Sequence, residues 1–277
     1  MNDFTTALDH VHATLSDLRE QGVELRASAE ALARLTDTPT VAKSAPETVL
    51  RAAPTTRAAE SATQPAAAAG SKAERLAALR GPVLVCTLCP HLAATRTQVV
   101  FGVGDPEAEL MFVGEAPGED EDRLGEPFVG KAGQLLTKII SAMGYAREDV
   151  YIGNVLKCRP DMPPGESGNR KPKPAEMATC LPYLRQQIDI IQPRALVALG
   201  ATAMEGLLGS TEPMARLRGR WHDFHGIPLM ATYHPAYLLR NQSLSEKRKV
   251  WEDMLMAMEK LGLPITEKQR CYFLLKP

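Results

Sequence analysis

Apolar positions fall into three regimes along the chain. Over residues 2–36, Phe4, Leu8, Val11, Leu15 and Leu18 recur at steps of four and three, the spacing of one face of an amphipathic helix. The stripe is short for a coiled coil. Residues 1–36 are therefore expected to form a helical segment whose apolar face could take a protein partner. Over 37–75 the periodicity disappears into Ala, Pro, Thr and Ser, as in TPTVAKSAPE and SATQPAAAAG, which predicts a flexible linker. From residue 76 short apolar runs alternate with longer amphipathic stretches. The runs Leu110–Val113, Val150–Asn154, Ala195–Leu199 and Leu229–Tyr233 predict strands, and the stretches near 130–143, 174–190, 201–208 and 245–261 predict helices. That alternation predicts an α/β domain over 76–265: three layers, a mostly parallel central sheet of about four strands, and helices on both faces. Residues 266–277 are expected to be a C-terminal tail. In such sheets ligands bind beyond the carboxyl ends of the strands.

Composition narrows the class. The chain has 277 residues, 44% apolar and 23% charged, with a net charge of −1. It can bury a core but is no electrostatic magnet for nucleic acid, so any DNA contact must come from local basic patches. No apolar stretch reaches membrane-spanning length. The start, MNDFTTALDH, has no basic region followed by an apolar one, so no signal peptide is expected. A cytoplasmic monomer is the expectation.

The five cysteines, Cys86, Cys89, Cys158, Cys180 and Cys271, are an odd number and include a C-x-x-C pair, which does not suit a secreted disulfide framework. Cys86 and Cys89 form a chelating hairpin. With Cys158 and Cys180 they make a plausible four-thiolate site, which on spacing alone suits zinc or an iron–sulfur cluster; Cys271 reads as a spare thiol. Between Lys157 and Lys173 five basic residues, Lys157, Arg159, Arg170, Lys171 and Lys173, face only Asp161 and Glu166, so this loop is a candidate for tracking phosphates.

Candidate pocket motifs follow the predicted strands. Gly114-Glu115-Ala116-Pro117-Gly118 follows the first, then Gly125-Glu126-Pro127-Phe128-Val129-Gly130 opens a helix at Lys131-Ala132-Gly133. Tyr151-Ile152-Gly153-Asn154-Val155-Leu156-Lys157-Cys158-Arg159-Pro160 and His234-Pro235-Ala236-Tyr237-Leu238-Leu239-Arg240 complete the set. In this order and spacing the motifs closely resemble the family-4 uracil-DNA glycosylases over roughly 80–262. The four cysteines match those that hold a [4Fe-4S] cluster in that family.

The resemblance implies a DNA-repair glycosylase that extrudes uracil from single- or double-stranded DNA and hydrolyses its N-glycosidic bond. It would leave an abasic site without cutting the strand. Phe128 would stack on the base. Asn154 would read its Watson–Crick edge, since an amide donates and accepts at once and so matches O4 and N3–H. His234 would stabilise the charge that develops at O2. Glu115 and Glu121 are candidates to orient water or stabilise the cationic sugar. Other branches place an aspartate where this motif has Ala116, which leaves no obvious general base, and the Glu115–Ala116 backbone would line the pocket. Lys157, Arg170, Arg218 (beside Arg216 and Arg220), Arg240 and Lys247–Lys249 are candidate DNA contacts. Leu238 or Leu239 is a candidate wedge for the vacated stack.

The Cys158–Cys180 interval is longer than the family pattern and holds no histidine, so turnover rather than covalent trapping is expected. Two competing classes remain at this level. A DNA-binding module that had lost catalysis would not need both Asn154 and His234. A zinc-stabilised nucleotide-binding protein would be expected to carry a phosphate loop, and neither G-x-x-x-x-G-K-S/T nor G-x-G-x-x-G occurs.

Overall fold

The computed structural model describes residues 70–274 except 161, 164 and 167. The amphipathic segment 1–36, the linker up to residue 69 and the last three residues lie outside the described residues.

The elements run α1 (Lys72–Leu84), α2 (Pro90–Thr95), β1 (Val103–Gly104), β2 (Leu110–Gly114), α3 (Glu119–Leu124), α4 (Lys131–Met143), a 3-10 turn at Arg147–Asp149, and β3 (Tyr151–Asn154). They continue α5 (Pro174–Ile191), β4 (Ala195–Leu199), α6 (Ala201–Leu208), α7 (Met214–Leu217), β5 (Trp221–Phe224), β6 (Ile227–Thr232), α8 (Pro235–Arg240), α9 (Leu244–Leu261) and α10 (Glu267–Arg270). The sheet has six strands in the order β1-β3-β2-β4-β6-β5. The inner four are parallel, and β1 and β5 pair antiparallel at the two edges.

The parallel strands are apolar throughout because both faces are covered. In β2, Met111 and Val113 face a core built with Leu184, Ile188 and Met204. Leu110 and Phe112 face the opposite core, with Leu136, Ile140, Met254 and Met258. Such runs announce themselves in the sequence, whereas the edges do not. β1 is two residues long, and β5 reads Trp-His-Asp-Phe with only Phe224 buried. β5 is joined to β6 by a tight hairpin at His225 and Gly226, whose φ angles of 51° and 87° match the primed turns that suit strand twist.

Two boundaries differ from expectation. Helix α1 begins at Lys72, inside the stretch read as linker, because Ser71 and Glu74 form a reciprocal capping box. The C-terminal tail is docked as far as Tyr272, with Phe273 and Leu274 exposed. Trp251 Nε1 donates to the Gln269 carbonyl at 2.6 Å, Gln269 Nε2 donates to the Ala142 carbonyl at 2.8 Å, and the Tyr272 ring lies 5.2 Å from that of Trp251.

β2 leads to β3 on one side and β4 leads to β6 on the other, so the connections diverge between β2 and β4. Their carboxyl ends form the crevice where such sheets bind ligands.

Candidate active site

The ends of β2 and β3 stand in register, Gly114 opposite Asn154. The two chains stay together beyond the strands, since Val155 N–H donates to the Gly114 carbonyl and Leu156 N–H to the Glu115 carbonyl, each at 3.0 Å. Asn154 is 2% exposed, and its Oδ1 has no hydrogen-bond partner among the described residues. A buried amide oxygen left unpaired costs about 1–3 kcal/mol, a penalty that a bound donor would remove. A side chain at Gly114 would collide with Asn154 Oδ1 and with the Phe128 ring, whose Cζ would lie 2.5 Å away. Glycine is therefore what lets amide and ring meet over the end of β2.

Phe128 holds a left-handed backbone, φ +55°, and is buried. Its ring stacks on His234, centroids 5.5 Å apart and planes inclined at 29°. His234 caps α8, and its Nδ1 accepts from Ala236 N–H at 3.1 Å. That bond places the proton of the neutral ring on Nε2, which remains a donor. Burial, helped by the positive charge of Arg240, pushes the imidazole pKa down to about 4. The ring is therefore neutral at physiological pH. Gly200, at the end of β4, allows its loop to approach: a Cβ there would lie 3.1 Å from His234 Cβ.

The two candidate carboxylates have separate surroundings. Glu115 is half-buried beside Thr202, at the start of α6. Burial raises its pKa, partly offset by a hydrogen bond from Thr202. Glu121 is occupied by main chain: Oε2 accepts from Gly118 N–H at 3.1 Å, and Oε1 from Val129 N–H at 2.9 Å and Gly130 N–H at 3.0 Å. It fastens the GEAPG turn to the PFVG turn. Ala116, on the same turn, is half-buried and offers only backbone.

The four cysteines converge from α1–α2, the β3 exit and α5. Arg96 Nη1 donates to Cys158 Sγ at 3.1 Å, Lys157 N–H to Cys180 Sγ at 3.2 Å, and Tyr183 Oη to Cys86 Sγ at 3.4 Å. Burial raises the Cys89, Cys158 and Cys180 thiols, Cys180 to about 11, and the neighbouring thiolates add to the rise. Cys158 and Cys180 are buried and Cys86 and Cys89 half-buried. Thiols are the donors that a soft cation takes, but among the described residues no three metal-ligating side chains are grouped closely enough to hold an ion. Cys271 is exposed and stands apart.

The proposed DNA contacts divide. Lys157 is 1% exposed, its Nζ donates to Gln187 Oε1 at 2.5 Å, and burial lowers its pKa to about 8; it cannot reach a phosphate. Arg170 is clamped on buried Glu176 at 2.7 and 2.9 Å. Arg218 is held by buried Asp253, Nη2 to Oδ1 at 2.8 Å. Leu238 is 4% exposed and packs inward, whereas Leu239 is 38% exposed. Arg240 is exposed at the end of α8. Charge in a sequence does not reveal an internal partner, and Lys157, Arg170 and Arg218 each have one. Sequence reasoning also missed Arg96, Thr202 and Gln187, none of which lies in a recognisable motif.

Fold and site together define a three-layer α/β protein with a buried amide, an aromatic ring and a neutral imidazole gathered beyond its central strands. A family model described as the uracil DNA glycosylase superfamily matches residues 101–255, and the chain belongs to that superfamily. Its relatives narrow the branch. A Type-4 uracil-DNA glycosylase of Thermotoga maritima is 47% identical over 171 residues, 61% of this chain and 85% of that protein. Proteins of the same name from Archaeoglobus fulgidus and Sulfurisphaera tokodaii are 41% and 39% identical, across 60% and 73% of this chain and 83% and 91% of their own.

Proposed function

We propose that this chain excises uracil from DNA, hydrolysing the N-glycosidic bond to give free uracil and an abasic site. The observation that carries the reading is the buried, unpaired Asn154 Oδ1 set against the Phe128 ring and Gly114. Uracil N3–H would donate to that oxygen and O4 would accept from the amide nitrogen, while the exocyclic amine of cytosine would meet a donor. Phe128 would stack on the extruded base.

As the C1′–N1 bond breaks, the bonding pair departs with uracil and spreads onto O2. The Nε2–H of neutral His234 stabilises that charge without giving up its proton. Water adds to C1′ and loses a proton to solvent, and the departed uracil anion takes up a proton from solvent. Ala116 supplies no base, so the leaving-group side carries most of the rate. No amine for strand cleavage is offered by Lys157, which is buried against Gln187.

Cys86, Cys89, Cys158 and Cys180 would hold a [4Fe-4S] cluster, as the family resemblance implies, and the cluster would tie α1–α2 to the β3 exit and α5. Arg240 and Leu239 on α8 are the exposed candidates for phosphate contact and for the wedge. The protein would act as a cytoplasmic monomer; among the described residues no helix is long and apolar enough to cross a membrane.

Mass spectrometry of the products from a uracil-containing oligonucleotide tests the chemistry. Free uracil with an intact backbone is expected. Cut strands before alkali, or no uracil released, would overturn the reading. Iron, sulfide and zinc content of anaerobically purified protein decides between a cluster and a single ion.

A further inference from the structure

Phe128 combines a bulky side chain with a left-handed backbone, φ +55°, a conformation that such residues adopt only when their surroundings enforce it. On one flank Glu121 holds Val129 N–H and Gly130 N–H. On the other, Arg147 Nη2 donates to the Pro127 carbonyl at 2.6 Å, and its Nη1 donates to Thr137 Oγ1 of α4 at 3.2 Å. From beneath, Gly133 leaves room for the Phe128 carbonyl, which a Cβ there would strike. Arg147 is half-buried and lies outside every motif that marks the pocket.

We propose that Arg147 is a positioning residue for base recognition: by bridging the Pro127 carbonyl to α4 it keeps the Phe128 ring in its stacking pose. The inference rests on Phe128 stacking against uracil, as set out above. Without Arg147 the turn before Phe128 loses one of its two fastenings, and the ring relaxes toward right-handed or extended backbone. Arg147 acts on the base only through Phe128, and its charge faces Glu126 and Glu121 on the same loops.

A double-mutant cycle tests this. Wild type, Arg147→Met, Phe128→Ala and the double variant would be compared by the inhibition constant for free uracil, the single-turnover excision rate, and affinity for undamaged DNA. Arg147→Met should weaken uracil inhibition and slow excision about tenfold, the size of the strain that is released, with affinity for undamaged DNA unchanged. In the Phe128→Ala background it should add nothing. Arg147→Lys, which can reach the Pro127 carbonyl but not Thr137 as well, should fall between and serves if the methionine variant does not fold. Equal effects in both backgrounds, or no effect of either substitution at Arg147, would overturn the proposal. Wild-type protein that releases no uracil would instead overturn the activity on which it rests.

Discussion

At the scale of single residues, the proposed site contains two groups in unusual states: a buried amide oxygen at Asn154 with no hydrogen-bond partner among the described residues and an imidazole at His234 that resists protonation. Gly114 is the residue that allows the first. Gly114→Ala would push the Phe128 ring and the Asn154 amide apart, and a misplacement of that kind costs on the order of a hundredfold in rate. Single-turnover excision should fall by that much with the circular dichroism spectrum unchanged; full activity would contradict the geometry. The His234 pKa makes two pH predictions. The single-turnover rate should show no inflection at the ordinary histidine value, because the ring is already neutral there. For stability, the unfolded ring protonates near 6.5 while the folded one stays neutral until about 4. Stability is therefore lost as pH falls through that window. Urea midpoints of wild type and His234→Gln, compared from pH 7 to pH 4, should show the wild type losing more.

At the scale of elements, legibility followed burial. The four parallel strands could be read because two covered faces require continuous apolar runs, as in Leu110–Gly114 and Ala195–Leu199. β1 and β5 could not, being a two-residue edge and an edge with a single buried side chain. Asn154 and His234 belong to motifs that lie at the ends of β3 and β6, whereas Phe128 precedes α4 and the cysteines lie around α1, α2 and α5 and just beyond β3. Lys157, Arg170 and Arg218 bond to Gln187, Glu176 and Asp253, which lie 30, 6 and 35 residues away, so their partners could not be read from charge alone. The docked C-terminal segment is the element most at odds with its sequence. Ending the chain at Ile265 should remove the Trp251–Gln269 bond and the Tyr272 contact and destabilise the fold by roughly 2 kcal/mol. An unchanged thermal midpoint would show that the segment behaves as a free tail.

At the scale of the whole molecule, the base-reading residue and a cysteine of the four-thiol site belong to one short segment. Asn154 and Cys158 are separated by three residues, two of them bonded to the GEAPG strand end. A cluster held there would fasten α1–α2, the β3 exit and α5 at one point. Cys180→Ser should therefore lose iron and lower the thermal midpoint together; iron retained at the wild-type level would remove Cys180 from the ligand set. With a near-neutral net charge of −1, the proposed DNA binding would rest on local contacts such as exposed Arg240 on α8 rather than on the charge of the whole molecule.

The central claim is that Asn154 reads uracil for excision. Its most direct test is single-turnover excision on a uracil-containing single strand, developed in alkali, with a thymine strand and Asn154→Ala alongside. The account predicts breaks confined to the uracil position, and a rate that falls by about a hundredfold or more in the variant. An intact uracil strand from folded, iron-replete wild type, or an Asn154→Ala protein as fast as wild type, would contradict it.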